Sequence, residues 1–280
     1  MVEHTRAHER IEPRELAGVR RSFDGPLGKS VEVFVPASTR RDAPIDLVIH
    51  FHGGAFIPEY SVSQLGGNVA VAVVNLAPGS GVYDHTFSAP AAYDSLLSSI
   101  KHEIRAALDA DVSFRTVTLV GFSAGHGAVR AILRDTAHFA QVDAVLLLDG
   151  LHTSYVPDGA VLEKGGTLDT TNLVAFARFA RAAERGAKRF LITHSEIFPG
   201  TFASTTETTD YLVEHLGLHR TPVIRWGPRG MQQLSEVKSG SLEIRGFAGN
   251  SAPDHIDQFQ AMPELLAALR ALGAQPTSRP

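Results

Sequence analysis

The chain has 280 residues, of which 44% are hydrophobic and 20% charged, which is normal for a single α/β domain. The formal net charge is −4, and lysines and arginines are scattered along the chain. This distribution disfavours a nucleic-acid partner, because a phosphate-binding surface needs a coherent basic patch. Cysteine is absent, which excludes a disulfide framework, a zinc–thiolate site and a cysteine nucleophile.

The beginning of the chain bears on its location. Its first twenty residues are polar and charged and lack the apolar stretch of a secretory signal, so the chain as written is expected to be cytoplasmic. A secreted or periplasmic protein whose signal peptide had been removed would begin in the same way. No apolar run approaches the roughly 20 residues that a helix needs to cross a bilayer, so no membrane partner is expected.

Apolar runs alternate with segments of helical periodicity along most of the chain. The predicted strands are Val19–Phe23, Ser30–Val35, Ile45–Phe51, Val69–Leu76, Thr116–Val120, Val142–Leu148, Arg189–Thr193 and Ser241–Phe247. The predicted helices are Ala89–Leu108, Ala124–Arg134, Asn172–Arg185, Glu207–Leu216 and Pro263–Leu272. Strands that are apolar at nearly every position are buried on both faces, which predicts a three-layer α/β/α sandwich around a mostly parallel sheet.

The domain boundaries follow from the same pattern. We predict an N-terminal extension over 1–18, a single α/β domain over 19–272 and a C-terminal tail over 273–280. Two segments interrupt the alternation within the domain. Residues 151–171 could form a small lid, and residues 217–240 form an excursion before the last strand.

The segment Gly121–Gly125 matches the pattern G-x-S-x-G, with serine at position 123. It directly follows a predicted strand and directly precedes a predicted helix, which is the structural context that the motif requires. A nucleophile on such a sharp turn needs small neighbours, and the helix N-terminus offers free N–H groups to a developing oxyanion. A tight turn with no catalytic role is the alternative. The context predicts Ser123 as a nucleophile.

A glycine-containing segment and a late histidine accompany the serine motif. His52-Gly53-Gly54 follows the strand Ile45–Phe51, and a late histidine, His255, lies between the last predicted strand and the last predicted helix. With the serine motif, these segments resemble the α/β-hydrolase superfamily, esterases and lipases in particular, over about residues 31–272.

The resemblance implies roles for the glycine turn and the histidine. Backbone N–H groups of Gly53 or Gly54, with that of Ala124, would form an oxyanion hole, although Ala55 replaces the third glycine of the HGGG pattern. His255 would be the general base in a loop at the carboxyl edge of the sheet, the alternative being a surface histidine at a helix start.

Two residues are candidates for the triad acid, which in this family lies between the serine and the histidine in the sequence. Asp149 ends the strand Val142–Leu148, whereas Glu196 follows the strand Arg189–Thr193. A carboxylate at the end of an apolar run is costly unless it has a partner, and a histidine is the obvious one. We favour Asp149 and keep Glu196 as the alternative.

These residues predict a carboxylic-ester hydrolase that uses Ser123, His255 and Asp149 and forms an acyl-enzyme intermediate. Amidase, thioesterase and acyltransferase activities would use the same residues, and a non-catalytic binding protein of the same fold is the alternative of a different class. A dinucleotide-binding domain is disfavoured because no G-x-G-x-x-G follows the first buried strand.

The expected partner is a small acyl substrate, with no cofactor and no metal; the oligomeric state is not readable from the sequence. His50 and His52 could face the same side of a strand, but no third metal ligand is evident. Phe56, His152 and Tyr155 are predicted to line the substrate pocket, and plain core packing is the alternative for the two aromatic residues.

Overall fold

The computed structural model describes residues 6–272 of the chain. Its strands are β1 Gly18–Asp24, β2 Ser30–Pro36, β3 Ile45–Phe51, β4 Val69–Val74, β5 Phe114–Phe122, β6 Ala144–Leu148, β7 Tyr155–Val156, β8 Thr167–Leu168, β9 Arg189–His194, β10 Thr221–Trp226, β11 Gln232–Ser239 and β12 Leu242–Phe247. Its helices are α1 Phe56–Leu65, α2 Ser80–Phe87, α3 Pro90–Leu108, α4 His126–Arg134, α5 Thr136–Gln141, α6 Val174–Glu184, α7 Thr205–Leu216, α8 Ala252–Gln260 and α9 Met262–Ala271. In this range no helix has both the length and the apolar character needed to cross a bilayer.

Ten strands form one sheet in the order β1-β2-β4-β3-β5-β6-β9-β12-β11-β10. The six strands from β4 to β12 are mutually parallel, and antiparallel pairs extend the sheet at both edges. The carboxyl ends of the parallel strands therefore meet at one edge, which is where ligand sites of open α/β sheets form.

Helices cover both faces of the sheet, so each central strand is buried on two sides. On β3, Ile45, Leu47 and Ile49 belong to one apolar core, whereas Val48 belongs to the other. The first core includes residues of α2, α3, α4 and α6, and the second includes residues of α1 and α9. Successive strand residues point to opposite faces, which explains the continuous apolar runs. The predicted three-layer α/β/α architecture is confirmed.

The structure adds elements that the sequence pattern did not predict. These are the helices α1, α2, α5 and α8. Residues 217–240 contain β10 and β11, which pair antiparallel with β12 and lengthen the sheet. Residues 151–171 contain the short strands β7 and β8, which form a separate two-stranded sheet. The predicted tail over 273–280 lies outside the described residues.

Candidate active site

Ser123 occupies a sharp turn between β5 and α4. Its φ is 47°, a left-handed conformation that non-glycine residues rarely adopt and that is found at functional sites. The turn is possible because its flanking glycines have no side chain. A Cβ on Gly125 would lie 2.0 Å from the carbonyl oxygen of Phe51, and one on Gly121 would lie 3.1 Å from the amide nitrogen of His126. The sharp turn predicted from the sequence is therefore held against β3 by close backbone packing.

We expect Gly125→Ala to lower the free energy of unfolding by at least about 2–3 kcal/mol, since the added methyl group must displace the backbone of β3. Gly81→Ala is the matched control, because a Cβ there meets no atom within 4 Å and alanine is the better helix former. Chemical denaturation of the two variants measures the difference. Equal stability of the two would contradict the packing argument.

The Asp149 carboxylate, directly after β6, is almost fully buried and accepts four hydrogen bonds. Ser195 N and Thr205 Oγ1 donate to Oδ1 at 2.9 and 2.6 Å, and Ser195 Oγ and His255 Nδ1 donate to Oδ2, each at 2.7 Å. Burial raises the pKa of Asp149, but the hydrogen bonds from His255, Thr205 and Ser195 outweigh it and lower the pKa to about 2. The group is therefore a carboxylate at neutral pH.

His255 lies in helix α8, and the prediction that it lies in a loop was wrong. A capping box of Ser251 and Asp254, with Pro253 in the first turn, starts the helix before His255; these are standard helix-start signals. The ring packs on Phe122, with the ring centroids 4.7 Å apart. Its Nδ1–H donates to Asp149, so Nε2 is the nitrogen left to accept a proton.

Phe122 is the last residue of β5 and directly precedes Ser123, and its ring packs on His255. Within residues 6–272, Ser123 Oγ makes no hydrogen bond, and His255 makes none through Nε2. Catalytic hydrogen bonds are often long without substrate and tighten when it binds. The structure therefore pairs Asp149 with His255 and, within residues 6–272, leaves His255 Nε2 and the Ser123 hydroxyl without a hydrogen-bond partner.

Glu196, the alternative acid, lies after β9 and has a different partner. Its Oε2 accepts a hydrogen bond from Gly249 N at 3.4 Å, and its own backbone N–H donates to Gly249 O at 2.9 Å. These bonds join the loop after β9 to the loop after β12. Glu196 therefore braces the loop that leads into α8, whereas Asp149 contacts the histidine itself.

The turn after β3 lies beside the serine turn. Strands β3 and β5 are parallel neighbours in which Phe51 pairs with Gly121, so the residues that follow them are adjacent. Gly53 has a φ of 113°, a value that favours glycine. Within the described residues the backbone N–H groups of Gly53 and Gly54 have no acceptor, and the N–H of Ala124 lies in a first helical turn, where no intrahelical acceptor exists.

The two histidines near this turn have separate partners. His50 Nε2 is 2.7 Å from the carbonyl oxygen of His52, and its ring stacks on Phe259. His52 Nδ1 is 3.1 Å from the hydroxyl of Tyr83 on α2. Burial lowers the pKa of both rings, that of His50 to about 3. Both imidazoles are neutral, and each is engaged with a different part of the structure.

A cavity of about 610 Å³ opens from Ser123. Its lining comes from the start of α2, the serine turn, α4, the segment between β6 and α6, and the loop between β9 and α7: Gly79, Ser80, Gly81, Ser123, Ala124, His126, Arg130, His152, Thr153, Ser154, Asn172 and Phe202. The predicted pocket residue His152 is among them. Arg130 and Phe202 were not predicted, because they reach the cavity from a helix and a distant loop.

The predictions of Phe56 and Tyr155 as pocket residues are not supported by their positions. Tyr155 is 2% exposed, and its hydroxyl donates to the carboxylate of Glu207 at 2.9 Å. Phe56 packs on the core that α1 and α9 share and lies beside Tyr60. Core packing, the alternative considered for both aromatic residues, is what the structure shows.

Residues near the N-terminus fasten the helix that carries His255. Arg6 and Arg10 both donate to the carboxylate of Asp257, and His8 Nδ1 lies 2.8 Å from it. Asp257 is fully buried on α8, two residues beyond the histidine. Arg6 also donates to Asp254 at 2.8 Å.

The same groups resemble a metal site in composition. Potential ligand atoms of His8, Asp254 and Asp257 lie within 4.8 Å of one another. However, the guanidinium groups of Arg6 and Arg10 already occupy the carboxylate oxygens that a cation would need. The cluster is therefore an ion-pair network that ties the N-terminal segment to α8.

We expect Asp257→Asn to lower the free energy of unfolding by about 2–3 kcal/mol, because two partly buried arginines lose their shared counter-charge. Asp42→Asn, which breaks an exposed pair with Arg40, should leave the stability unchanged. Urea denaturation of the two variants and the wild type provides the measurement. An unchanged midpoint for Asp257→Asn would show that the N-terminal segment does not hold the helix.

Comparisons with protein-family models and with curated protein sequences gave no match. Solved structures resemble the chain over most of its length. An S-formylglutathione hydrolase from Agrobacterium tumefaciens is 15% identical with a TM-score of 0.50, covering 93% of this chain and 98% of that one. A feruloyl esterase module from Clostridium thermocellum is 11% identical with a TM-score of 0.50, covering 93% and 96%.

An enterobactin esterase from Shigella flexneri is 12% identical with a TM-score of 0.54, covering 93% of this chain and 61% of that one. The likeness at such low identity concerns architecture, and it extends over nearly the whole described range. The sheet order, the sharp turn after β5 and these neighbours together lead to one conclusion: the protein has the α/β-hydrolase fold.

Proposed function

We propose that the protein is a serine hydrolase that cleaves carboxylic esters, with Ser123 as nucleophile, His255 as general base and acid, and Asp149 as the orienting carboxylate. The observation that carries the proposal is the 2.7 Å hydrogen bond from His255 Nδ1 to a buried, fully hydrogen-bonded Asp149. It lies at the edge of the sheet where Ser123 adopts its left-handed turn. The structural neighbours described above are named as esterases or as a hydrolase, which agrees with this class of reaction.

In the proposed reaction, Ser123 Oγ attacks the acyl carbonyl carbon while His255 Nε2 takes the hydroxyl proton. The carboxylate of Asp149 stabilises the imidazolium and keeps the proton on Nδ1. The alcohol leaves with the proton returned by Nε2. Water then attacks the acyl-enzyme, again with His255 as base, and releases the acid.

The tetrahedral intermediates carry a negative oxygen, and the proposed donors to it are the backbone N–H groups of Gly53 or Gly54 and of Ala124. These groups lack acceptors within the described residues, so they need no rearrangement before they bind the oxyanion. Each such donor typically contributes about 3–4 kcal/mol to the stability of the transition state.

A fluorophosphonate probe tests the proposal directly, because it phosphonylates an activated serine. We expect the wild-type protein to be labelled on the peptide that contains Ser123 and to hydrolyse 4-nitrophenyl butyrate. Ser123→Ala should show neither reaction, whereas Ser95→Ala on the exposed face of α3 should show both. Equal labelling of the wild type and Ser123→Ala would refute the assignment.

A further inference from the structure

Arg130 lines the cavity from the second turn of α4. Its side chain is 10% exposed, and its Nε–H donates to Asp84 Oδ2 at 2.6 Å. Within residues 6–272 its two terminal nitrogens make no hydrogen bond, and neither is sealed from solvent. The N–H groups on these two nitrogens are therefore available to an acceptor that enters the cavity.

The charge on Arg130 is not cancelled by its carboxylate partner. Asp84 also accepts a hydrogen bond from Arg134 Nη1 at 3.0 Å, so two guanidinium groups share one carboxylate. The neighbouring His126 donates through Nδ1 to Ser123 O at 2.8 Å. Burial, with a contribution from His152, holds the pKa of His126 well below its ordinary value. This part of the cavity therefore carries a net positive charge from arginine.

The N-terminus of α2 lines the same cavity through Gly79, Ser80 and Gly81. No side chain caps this helix, so the N–H groups of its first turn have no intrahelical acceptor and carry the positive end of the helix dipole. A Cβ on Gly127 would lie 2.2 Å from Ser80 O, which shows how closely α2 packs on α4. Gly127 precedes Arg130 by one helical turn.

The position of the cavity relative to His255 indicates which part of a substrate the cavity would hold. The leaving alcohol must lie next to His255, which protonates it, and His255 is not among the residues that line the cavity. An acyl part that extends away from His255 would enter this cavity. Seven residues, or roughly 10 Å of helix, separate Ser123 from Arg130, and an arginine side chain leans back towards the helix N-terminus.

We propose that Arg130 and the free N–H groups at the start of α2 form a carboxylate-binding site, so that the preferred substrates are esters of dicarboxylic acids with one free carboxylate at the far end of the acyl chain. The location of the ester in this inference rests on the proposed function. The location of the free carboxylate rests only on the residues that line the cavity. A guanidinium group and a helix N-terminus are both suited to a carboxylate.

Two 4-nitrophenyl esters test this substrate class. Mono-4-nitrophenyl adipate ends in a carboxylate, and 4-nitrophenyl adipamate has the same length and ends in a neutral amide. We expect wild-type kcat/KM to be about 10- to 100-fold higher for the adipate, the ratio that corresponds to one hydrogen bond with a charged group. Equal kcat/KM values for the two esters would overturn the proposal.

Gly81→Asp places a negative charge at the site without a steric clash, since a Cβ at Gly81 meets no atom within 4 Å, and an acidic residue suits a helix N-terminus. It should lower the adipate/adipamate ratio at least tenfold. Ala91→Asp makes the same charge change in the first turn of α3 and should keep the wild-type ratio. A ratio that is the same in both variants would contradict the site.

Arg130→Met should also abolish the preference, and Arg130→Lys should retain part of it, because lysine keeps the charge without the planar donor geometry. Adipate binding to Ser123→Ala, measured by calorimetry, separates the anion site from catalysis. If adipate binds to Ser123→Ala and Gly81→Asp weakens that binding, the result supports the site even where no ester is cleaved. Absence of adipate binding overturns the site. Failure to label Ser123 would instead refute the proposed function.

Discussion

Replacing Ser123 with alanine is expected to lower kcat/KM for 4-nitrophenyl esters by about 10⁴- to 10⁶-fold, the usual cost of removing the nucleophile of such a triad. Without the hydroxyl no acyl-enzyme can form, whereas the cavity and the free N–H groups around the turn remain. Some acceleration over the uncatalysed reaction should therefore persist. Stopped-flow release of 4-nitrophenolate measures both the burst and the steady state.

The thermal stability of Ser123→Ala shows whether its loss of activity comes from the missing hydroxyl or from unfolding. Ser123 Oγ makes no hydrogen bond within the described residues, so its removal should leave the thermal midpoint within about 1–2 °C of the wild type, as for a substitution that breaks no contact. Ser95→Ala serves as the control for both readouts. A Ser123→Ala variant that is stable and hydrolyses esters at the wild-type rate would eliminate the mechanism.

The central sheet could be predicted because its parallel strands are buried on both faces and are apolar along their length. The run Ile45–Phe51 matches β3 to the residue, and β5 extends the predicted run by only two residues at each end. The helices α1 and α2 were missed for a physical reason. Neither has a side-chain N-cap, and the contacts that stabilise them come from elements far away in the sequence.

The serine turn could also be predicted, since it is local and depends on two glycines. The acid was harder, because Asp149 and Glu196 both follow strands that end at the same edge. What distinguishes them is the set of hydrogen-bond donors to Asp149. Two of these donors, Ser195 and Thr205, lie 46 and 56 residues further along the chain. Such contacts depend on the adjacency of β6 and β9, which the sequence pattern does not specify.

The cavity was the least predictable feature. Arg130 lies on the predicted helix after the serine, and its position two turns from Ser123 is a signal that could have been read. Its use as a cavity residue depends on α2, whose unpredicted N-terminus forms the adjoining wall. His255 illustrates a signal that was present but not used, because Ser251 and Pro253 mark a helix start.

The second large effect is expected at the acid. Asp149→Asn should lower kcat by about 10⁴-fold, because asparagine cannot hold the proton on Nδ1 of His255 and stabilise the imidazolium. Glu196→Gln should change kcat by less than about threefold, since its carboxylate contacts a backbone N–H and not the histidine. A large loss in Glu196→Gln with a small one in Asp149→Asn would reverse the assignment.

Asp149→Asn should also change how the stability of the protein depends on pH. The pKa of Asp149 falls from an ordinary 3.8 to about 2 on folding, so its carboxylate stabilises the folded state fully above the unfolded-state pKa. That contribution is lost as the pH falls from about 4 through about 2. Denaturation of the wild type and Asp149→Asn between pH 5 and pH 2 should therefore show a shallower decline for the variant. Parallel curves would mean that Asp149 is not held as a hydrogen-bonded carboxylate, and the base would then lack its orienting partner.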